Sequence, residues 1–229
     1  MAVKQKGKII VIEGTDGTGK TTQVALLLKR LRKEKIANTL IDYPRYGLPS
    51  AHFVERYLNG KYGTSAEVPP EVASLFYALD RYEAKQGVNK ALDAGKIVVA
   101  NRYTSSSMAH QGAKLASTKE RRELFRWLEH LEHDMLGIAR PSLTIVLHVP
   151  AAIAQRLVDK KGRRDYIRKK RDIHEADLHH LESAERTYLE MAKLFNYPII
   201  ECVEKGKLLT PLEIHDKIWQ TVKKAVRVT

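Results

Sequence analysis

Apolar positions along the chain form two alternating kinds of run. Short continuous blocks, rich in β-branched residues, occupy 8–13, 39–42, 97–100, 143–149 and 199–202. Runs of this length without polar alternation predict strands buried on both faces. Between them lie longer stretches with apolar residues every three or four positions. Val24, Leu27, Leu28 and Leu31 share one face of a helix predicted over 20–35. Further helices are predicted over 70–94, 120–136, 151–158, 173–195 and 211–226. Thr210-Pro211-Leu212-Glu213 offers an N-cap, a proline at the first helical position and a glutamate that can reach back, and Ser117–Glu120 and Asp172–Glu175 repeat the capping spacing. Strand–helix alternation of this kind predicts an α/β fold in three layers, with a five-stranded parallel sheet flanked by helices. No internal repeat or low-complexity linker interrupts the pattern, so one domain over 1–229 is expected.

Composition adds three points. Of 229 residues, 43% are hydrophobic and 29% charged, which is enough apolar surface for a sizeable core. Cys202 is the lone cysteine, which excludes an internal disulfide and fits a reducing compartment. The short basic start at 1–7 precedes an apolar run, 9–12, too brief for a signal-peptide core or a membrane span, so a cytoplasmic protein without membrane attachment is expected. The net charge is +13, yet it is unevenly spread. Residues 160–171 hold eight basic side chains against one acid, Asp165. That concentration predicts a local phosphate device in preference to a uniform polyanion-binding surface, with the basic stretch over about 160–172 an insertion or a lid.

The most specific motif is Gly14-Thr15-Asp16-Gly17-Thr18-Gly19-Lys20-Thr21, a full match to G-x-x-x-x-G-K-[ST] between a predicted strand and a predicted helix. Glycines let the backbone wrap phosphates with N–H groups pointing inward, and the following helix adds its positive end. Lys20 then meets the β- and γ-phosphates, Thr21 can ligate Mg2+, and the ATP-binding stretch extends to Thr22. The loop identifies a nucleoside triphosphate without specifying a reaction. Asp16 is awkward beside phosphates. It either faces a second ligand's hydroxyl or is a turn residue bonding its own backbone.

Four further segments narrow the reading: Tyr43-Pro44-Arg45, Leu75-Phe76-Tyr77-Ala78-Leu79-Asp80-Arg81, Asn101-Arg102-Tyr103 and Ala109-His110-Gln111-Gly112-Ala113. With the phosphate loop, and in this order, they resemble the thymidylate kinase family over nearly the whole chain. The resemblance implies a P-loop fold, transfer of the γ-phosphoryl of ATP to dTMP with Mg2+, and a homodimer. It implies that Asp16 binds the acceptor's 3′-hydroxyl and that Arg45 bridges the acceptor phosphate and the transferred group. Phe76 would stack on thymine, Arg81 would bond the base edge and Arg102 would hold the acceptor phosphate. Ser107, with His110 or Gln111, would line the base and sugar pocket. Gly17 stands where an arginine would otherwise supply charge, so Arg163, Arg164 and Arg168 of the lid would supply it.

Physical chemistry bears on the same residues. An aromatic face with a planar donor suits a flat base, although Phe76 and Arg81, five apart, lie on neighbouring helix faces and not one above the other. Arg45 and Arg102 each follow a predicted strand, and ligands of open α/β sheets bind at strand carboxyl ends. Each residue also has a plainer reading, as helix core for Phe76 and as a solvated charge for the arginines. Two departures from the family pattern stand out. Asn101 replaces an aspartate, which weakens the metal site but favours an ionised phosphate acceptor over a hydroxyl that needs a base. His148, where relatives carry an acid, reads as structural, and His179-His180 as surface. Two alternatives remain: a P-loop kinase with another acceptor (dUMP, another nucleotide or a deoxynucleoside), and a nucleic-acid-binding P-loop ATPase. The second leaves the base-pocket residues without a purpose, so no nucleic-acid partner is expected.

Overall fold

The computed structural model describes residues 6–160 and 178–226. The lid arginines Arg163, Arg164 and Arg168 lie outside the described residues. The five predicted strands form one sheet: β1 (Lys8–Glu13), β2 (Asn38–Asp42), β3 (Ile97–Asn101), β4 (Leu143–His148) and β5 (Ile199–Glu201), in the order β2-β3-β1-β4-β5. All four pairings are parallel, with Ile10 opposite Val99 and Ile12 opposite Ile145. The helices are α1 (Lys20–Lys33), α2 (His52–Leu58), α3 (Pro70–Asp93), α4 (Thr104–Gly112), α5 (Thr118–Glu129), α6 (Ala151–Lys160), α7 (Leu178–Leu194) and α8 (Pro211–Val226).

Both faces of β1 are buried, as its unbroken apolar run requires. Ile10 and Ile12 pack with Leu27 and Leu31 of α1 and Ile218 and Val222 of α8. Ile9 and Val11 face the opposite layer, against Ala84, Val88 and Leu92 of α3. Beyond β4, Met108, Phe125, Leu128, Tyr188 and Met191 join α4, α5 and α7. A smaller cluster, centred on Val54, Tyr57, Leu58 and Val68, packs α2 against the start of α3. The capping boxes at Ser117–Glu120 and Thr210–Glu213 form as the sequence predicts.

Three local expectations are corrected. The helix predicted over 120–136 runs as α5 and then widens into a π-helical turn, His130–Met135. Helix α2 and helix α4 were not anticipated. The sequence Thr-Ser-Ser-Ser at the start of α4 has the composition of a loop. It is helical because of Glu13, the last residue of β1, whose carboxylate is wholly buried. Glu13 Oε1 accepts from the backbone N–H of Tyr103 (2.9 Å) and Ser105 Oγ (2.7 Å), and Oε2 accepts from Ser106 Oγ (2.6 Å) and Tyr188 Oη (2.9 Å). A negative charge is thereby held at the N-terminus of α4, where the helix dipole favours it. The residue just before this anchor, Arg102, has φ +66°. A non-glycine residue holds that conformation only where its surroundings enforce it.

Replacing Glu13 by alanine leaves several buried donors without an acceptor and is expected to lower unfolding stability by about 2–4 kcal/mol. Urea unfolding checks this, and a loss below about 0.5 kcal/mol, the size of an ordinary surface change, would show that the network is energetically idle.

Candidate active site

The polar residues at the carboxyl ends of β1, β2 and β3 lie at one edge of the sheet, and a cavity of about 320 Å³ opens there. Its walls include Asp16, Gly17, Gly19, Lys20, Thr21, Tyr77, Arg81, Arg102, Ser107, His110 and Gln111. Its volume is within the range of small-molecule sites.

The phosphate loop forms one wall. Gly17 has φ +87°, and a Cβ there would lie 2.2 Å from the Ala154 carbonyl oxygen. No side chain fits, so residue 17 cannot carry an arginine. Thr18 closes the turn on the Thr15 carbonyl (Oγ1 to O, 2.9 Å). Gly14, Thr15 and Thr18 are buried under the loop or packed against strands, whereas Thr22 is exposed on α1 outside the cavity lining. No side chain caps α1, which is the arrangement an anion site at a helix N-terminus needs. Lys20 Nζ donates to the carbonyls of Gly14 (2.9 Å) and Thr15 (2.8 Å).

The facing wall is built from α3 and α4. Arg102 donates to Asp16 Oδ1 and to Ser106 Oγ (3.4 Å), and its Nη1 lies 3.2 Å from His110 Nε2. Burial is the largest single influence and works against the Arg102 charge, but Asp16, with Tyr188, Glu13 and Tyr46, together outweigh it and hold the guanidinium protonated. Burial, helped by the Arg102 charge, pushes His110 well below the usual histidine range, so its ring is neutral. Arg81 is 2% exposed. Glu132, in the π-helical turn, holds it with two bonds of 2.6 Å, from Nε and Nη2, and Nη2 also reaches Ser107 Oγ at 2.8 Å. Gln111 is fully buried on the cavity wall, and neither its amide nitrogen nor its amide oxygen has a partner among the described residues. A buried carboxamide left in this state is rare unless a ligand completes it.

Two residues predicted for the acceptor side are also placed elsewhere. Phe76 is not on the cavity wall. Its ring stacks on Phe53 (5.8 Å between centroids, 16°) and packs against Tyr57 and Tyr62 in the α2–α3 cluster. The aromatic lining the cavity is Tyr77, four residues before Arg81, set edge-on against Tyr57 (6.4 Å). The i, i+4 rule, applied backward from Arg81, points to Tyr77. Arg45 does not line the cavity either. Asp80 takes its backbone N–H (2.8 Å) and Nε (2.9 Å), and Ser50 Oγ takes Nη2 (2.8 Å), so Arg45 clamps the 43–50 loop onto α3. His180 is buried against His110, with ring centroids 5.7 Å apart, and is not the surface residue expected. His148 is structural, bonded to Glu185 (2.8 Å) and Glu201 (2.6 Å).

The residues present fit a magnesium ion at the loop. Thr21 presents an exposed side chain on the cavity wall, and the buried Oδ1 of Asn101 there has no partner among the described residues.

One wall shaped for a triphosphate and another bearing arginines and an unpartnered amide define the protein as a P-loop phosphotransferase, with a donor side and an acceptor side. Its sequence matches the thymidylate kinase family model over residues 12–209. It is 30% identical to the thymidylate kinase of Mycobacterium tuberculosis over 185 residues, covering 80% of this chain and 85% of that protein. It is 28% identical to a probable thymidylate kinase of Pyrobaculum aerophilum over 225 residues, covering 95% and 97%. A solved thymidylate kinase structure from Candida albicans shares the fold, with a TM-score of 0.71 and 21% identity over 96% of this chain and 92% of that one. The chain belongs to the thymidylate kinase family, whose members are ATP-dependent nucleoside monophosphate kinases.

The placements of Tyr77 and Phe76 make separable predictions. Tyr77→Ala should raise the acceptor KM at least about tenfold, the loss of one base-stacking contact, with little effect on unfolding. Phe76→Ala should instead lower stability by about 3 kcal/mol and leave the KM of the folded enzyme near normal. Steady-state kinetics and thermal unfolding of the two variants check this, and the reverse pattern would return the stacking role to Phe76.

Proposed function

We propose that the protein transfers the γ-phosphoryl group of ATP to dTMP, giving dTDP and ADP, and that the two nucleotides meet in the cavity between the phosphate loop and α3–α4. The observation that carries the acceptor assignment is the buried, unpartnered Gln111 carboxamide beside Arg81 and Tyr77. A thymine ring offers an aromatic face to Tyr77. Its edge alternates carbonyl acceptors with an N–H donor, and an amide together with a guanidinium complements that edge. On the phosphate side, Lys20 meets the donor phosphates and Arg102 the acceptor phosphate. Asp16, which now accepts from Arg102, is released toward the sugar 3′-hydroxyl when a phosphate takes over the guanidinium.

An acceptor phosphate is already ionised at neutral pH, so no side chain has to remove a proton, and an amide at position 101 is compatible with the reaction. The chain contributes alignment of the two phosphates and cationic groups around the group in flight. Thr21 would hold Mg2+, whose charge offsets that of the β- and γ-oxygens when it is bound. Because Gly17 has no room for a side chain, the further cation comes from Arg163, Arg164 or Arg168.

We also propose a homodimer through α3. Val72, Leu75, Leu79 and Tyr82 are 41%, 38%, 46% and 45% exposed and form one stripe along that helix. A contiguous apolar stripe of this kind marks an interaction surface. A cytoplasmic location is proposed from Cys202, and among the described residues no helix is long and apolar enough to cross a membrane.

Coupled ADP release with a panel of acceptors tests the reaction. Turnover should be strongest with dTMP, ahead of dUMP, dCMP, dGMP, AMP and thymidine. Lys20→Ala should cut kcat about 100-fold or more, and Arg102→Ala should impair use of dTMP with ATP binding nearly intact. Turnover with thymidine but not dTMP would overturn the acceptor assignment. For the dimer, light scattering should show a mass of twice the 26.1 kDa chain, reduced to one chain by Leu79→Glu. An unchanged mass would move the interface elsewhere.

A further inference from the structure

P-loop enzymes hold their metal with the loop Ser or Thr and with a carboxylate supplied at the end of a strand. The strand ends of this sheet differ in what they can offer. Glu13, at the end of β1, is wholly buried, with both oxygens engaged by donors of α4, α7 and Tyr103. β3 ends in Asn101, an amide without charge. β4 ends in His148, held between Glu185 and Glu201. β2 ends in Asp42, which lines the same cavity wall as Lys20 and Thr21 and is the register partner of Asn101 across the β2–β3 pairing.

The two residues are joined. Asn101 Nδ2 donates to Asp42 Oδ1 at 2.8 Å. That bond fixes which end of the amide is nitrogen and turns Oδ1 away from Asp42. Asn101 is 7% exposed, and its Oδ1 has no partner among the described residues although it is buried on the cavity wall. A buried acceptor of this kind, oriented by a neighbouring carboxylate, is set to receive a hydrogen bond from something that enters the cavity.

We infer that Asp42 and Asn101 act as one unit toward the metal bound with the nucleotide: Asn101 Oδ1 accepts from a metal-bound water, and Asp42 supplies the negative charge that residue 101 lacks. The carboxylate sits at the end of β2, one strand outward of residue 101 in the sheet, and the amide relays its orientation inward. Asp42 is a positioning residue in this arrangement, since it acts through Asn101. The inference rests on the nucleotide-kinase reading only in requiring that the loop bind a metal–nucleotide complex.

The test is the affinity of the protein–ADP complex for Mn2+, read from the loss of the free aquo-ion signal in electron paramagnetic resonance, with protein in excess over ADP. Asp42→Asn preserves size and leaves an acceptor for the Asn101 amide. It should weaken Mn2+ binding about 10- to 100-fold, the usual cost of losing an outer-shell partner. Metal-free ADP binding, measured by calorimetry, should change less than about threefold, which separates metal loss from misfolding. The exchange variant Asp42→Asn/Asn101→Asp should recover most of the lost affinity, because it returns a carboxylate to the end of β3. If Asp42→Asn does not fold, Asp42→Ala with the same Asn101→Asp rescue answers the question. Unchanged Mn2+ affinity in Asp42→Asn, or no recovery in the exchange variant, overturns the inference. The measurement needs no turnover. A wild-type protein that orders Mn2+ yet does not phosphorylate dTMP would refute the acceptor assignment and leave the metal unit supported. A wild-type ADP complex that does not order Mn2+ would overturn the metal unit.

Discussion

The buried carboxylate of Glu13 constrains the site more than any other single group. A charge removed from water has to be met by hydrogen bonds, or burying it costs several kcal/mol. Here the donors come from Tyr103, Ser105 and Ser106, at the start of α4, and from Tyr188 in α7. Glu13 also directly precedes Gly14 of the phosphate loop. One residue therefore ties the beginning of the donor loop to the helix that carries much of the acceptor wall. Arg102 lies between these two anchored points in its left-handed conformation. Its position is set by the hydrogen bonding of its neighbours more than by its own preference.

The other deep charge follows a different logic. Arg81 and Glu132 are 2% and 0% exposed and share two hydrogen bonds of 2.6 Å. Such a pair adds little net stability over well-packed apolar residues, because desolvation offsets the Coulomb gain. What it supplies is placement. Glu132 takes Nε and Nη2, Ser107 takes Nη2 again, and Thr104 Oγ1 fills out the Glu132 carboxylate at 2.8 Å. The guanidinium cannot swing, so it presents the same edge to every ligand. The π-helical turn that brings Glu132 inward is a backbone irregularity of the sort found at functional sites.

Much of this was legible in the sequence. Strand and helix order, the parallel sheet, the loop and its lysine all followed from periodicity and one motif, because buried strands and glycine turns leave strong local signals. Helix α4 was not legible, since its Ser-rich start is helical only by virtue of a carboxylate 90 residues away in sequence. The placement of Phe76 away from the cavity wall was hidden for a different reason. Two adjacent aromatics, Phe76 and Tyr77, invite a choice by residue type, whereas the helical spacing to Arg81 selects the tyrosine. Arg45 misled because a strand-end arginine looks available until its partner Asp80, 35 residues on, is seen to hold it. The value of Asp42 was hidden for the same reason: register across β2 and β3 decides its neighbour, and nothing local announces it.

Among the described residues, the charges around the cavity are arranged differently from those of a nucleic-acid track. A polyanion track needs exposed cations that release counterions along its length. The arginines around this cavity are instead matched with acids: Arg81 with Glu132, Arg102 with Asp16 and Arg45 with Asp80. Matching at rest offsets the charge of each of these guanidinium groups. It also grades them by availability, because Arg102–Asp16 is the more accessible of the two pairs whose arginine lines the cavity, with side chains 17% and 12% exposed against 2% and 0% for Arg81–Glu132. In the proposed reaction an incoming phosphate would compete for Arg102 and leave Arg81 locked as a reader of shape and hydrogen-bond pattern. In that reaction a site built this way would exchange one carboxylate for one phosphate at a fixed place, as a mononucleotide acceptor requires.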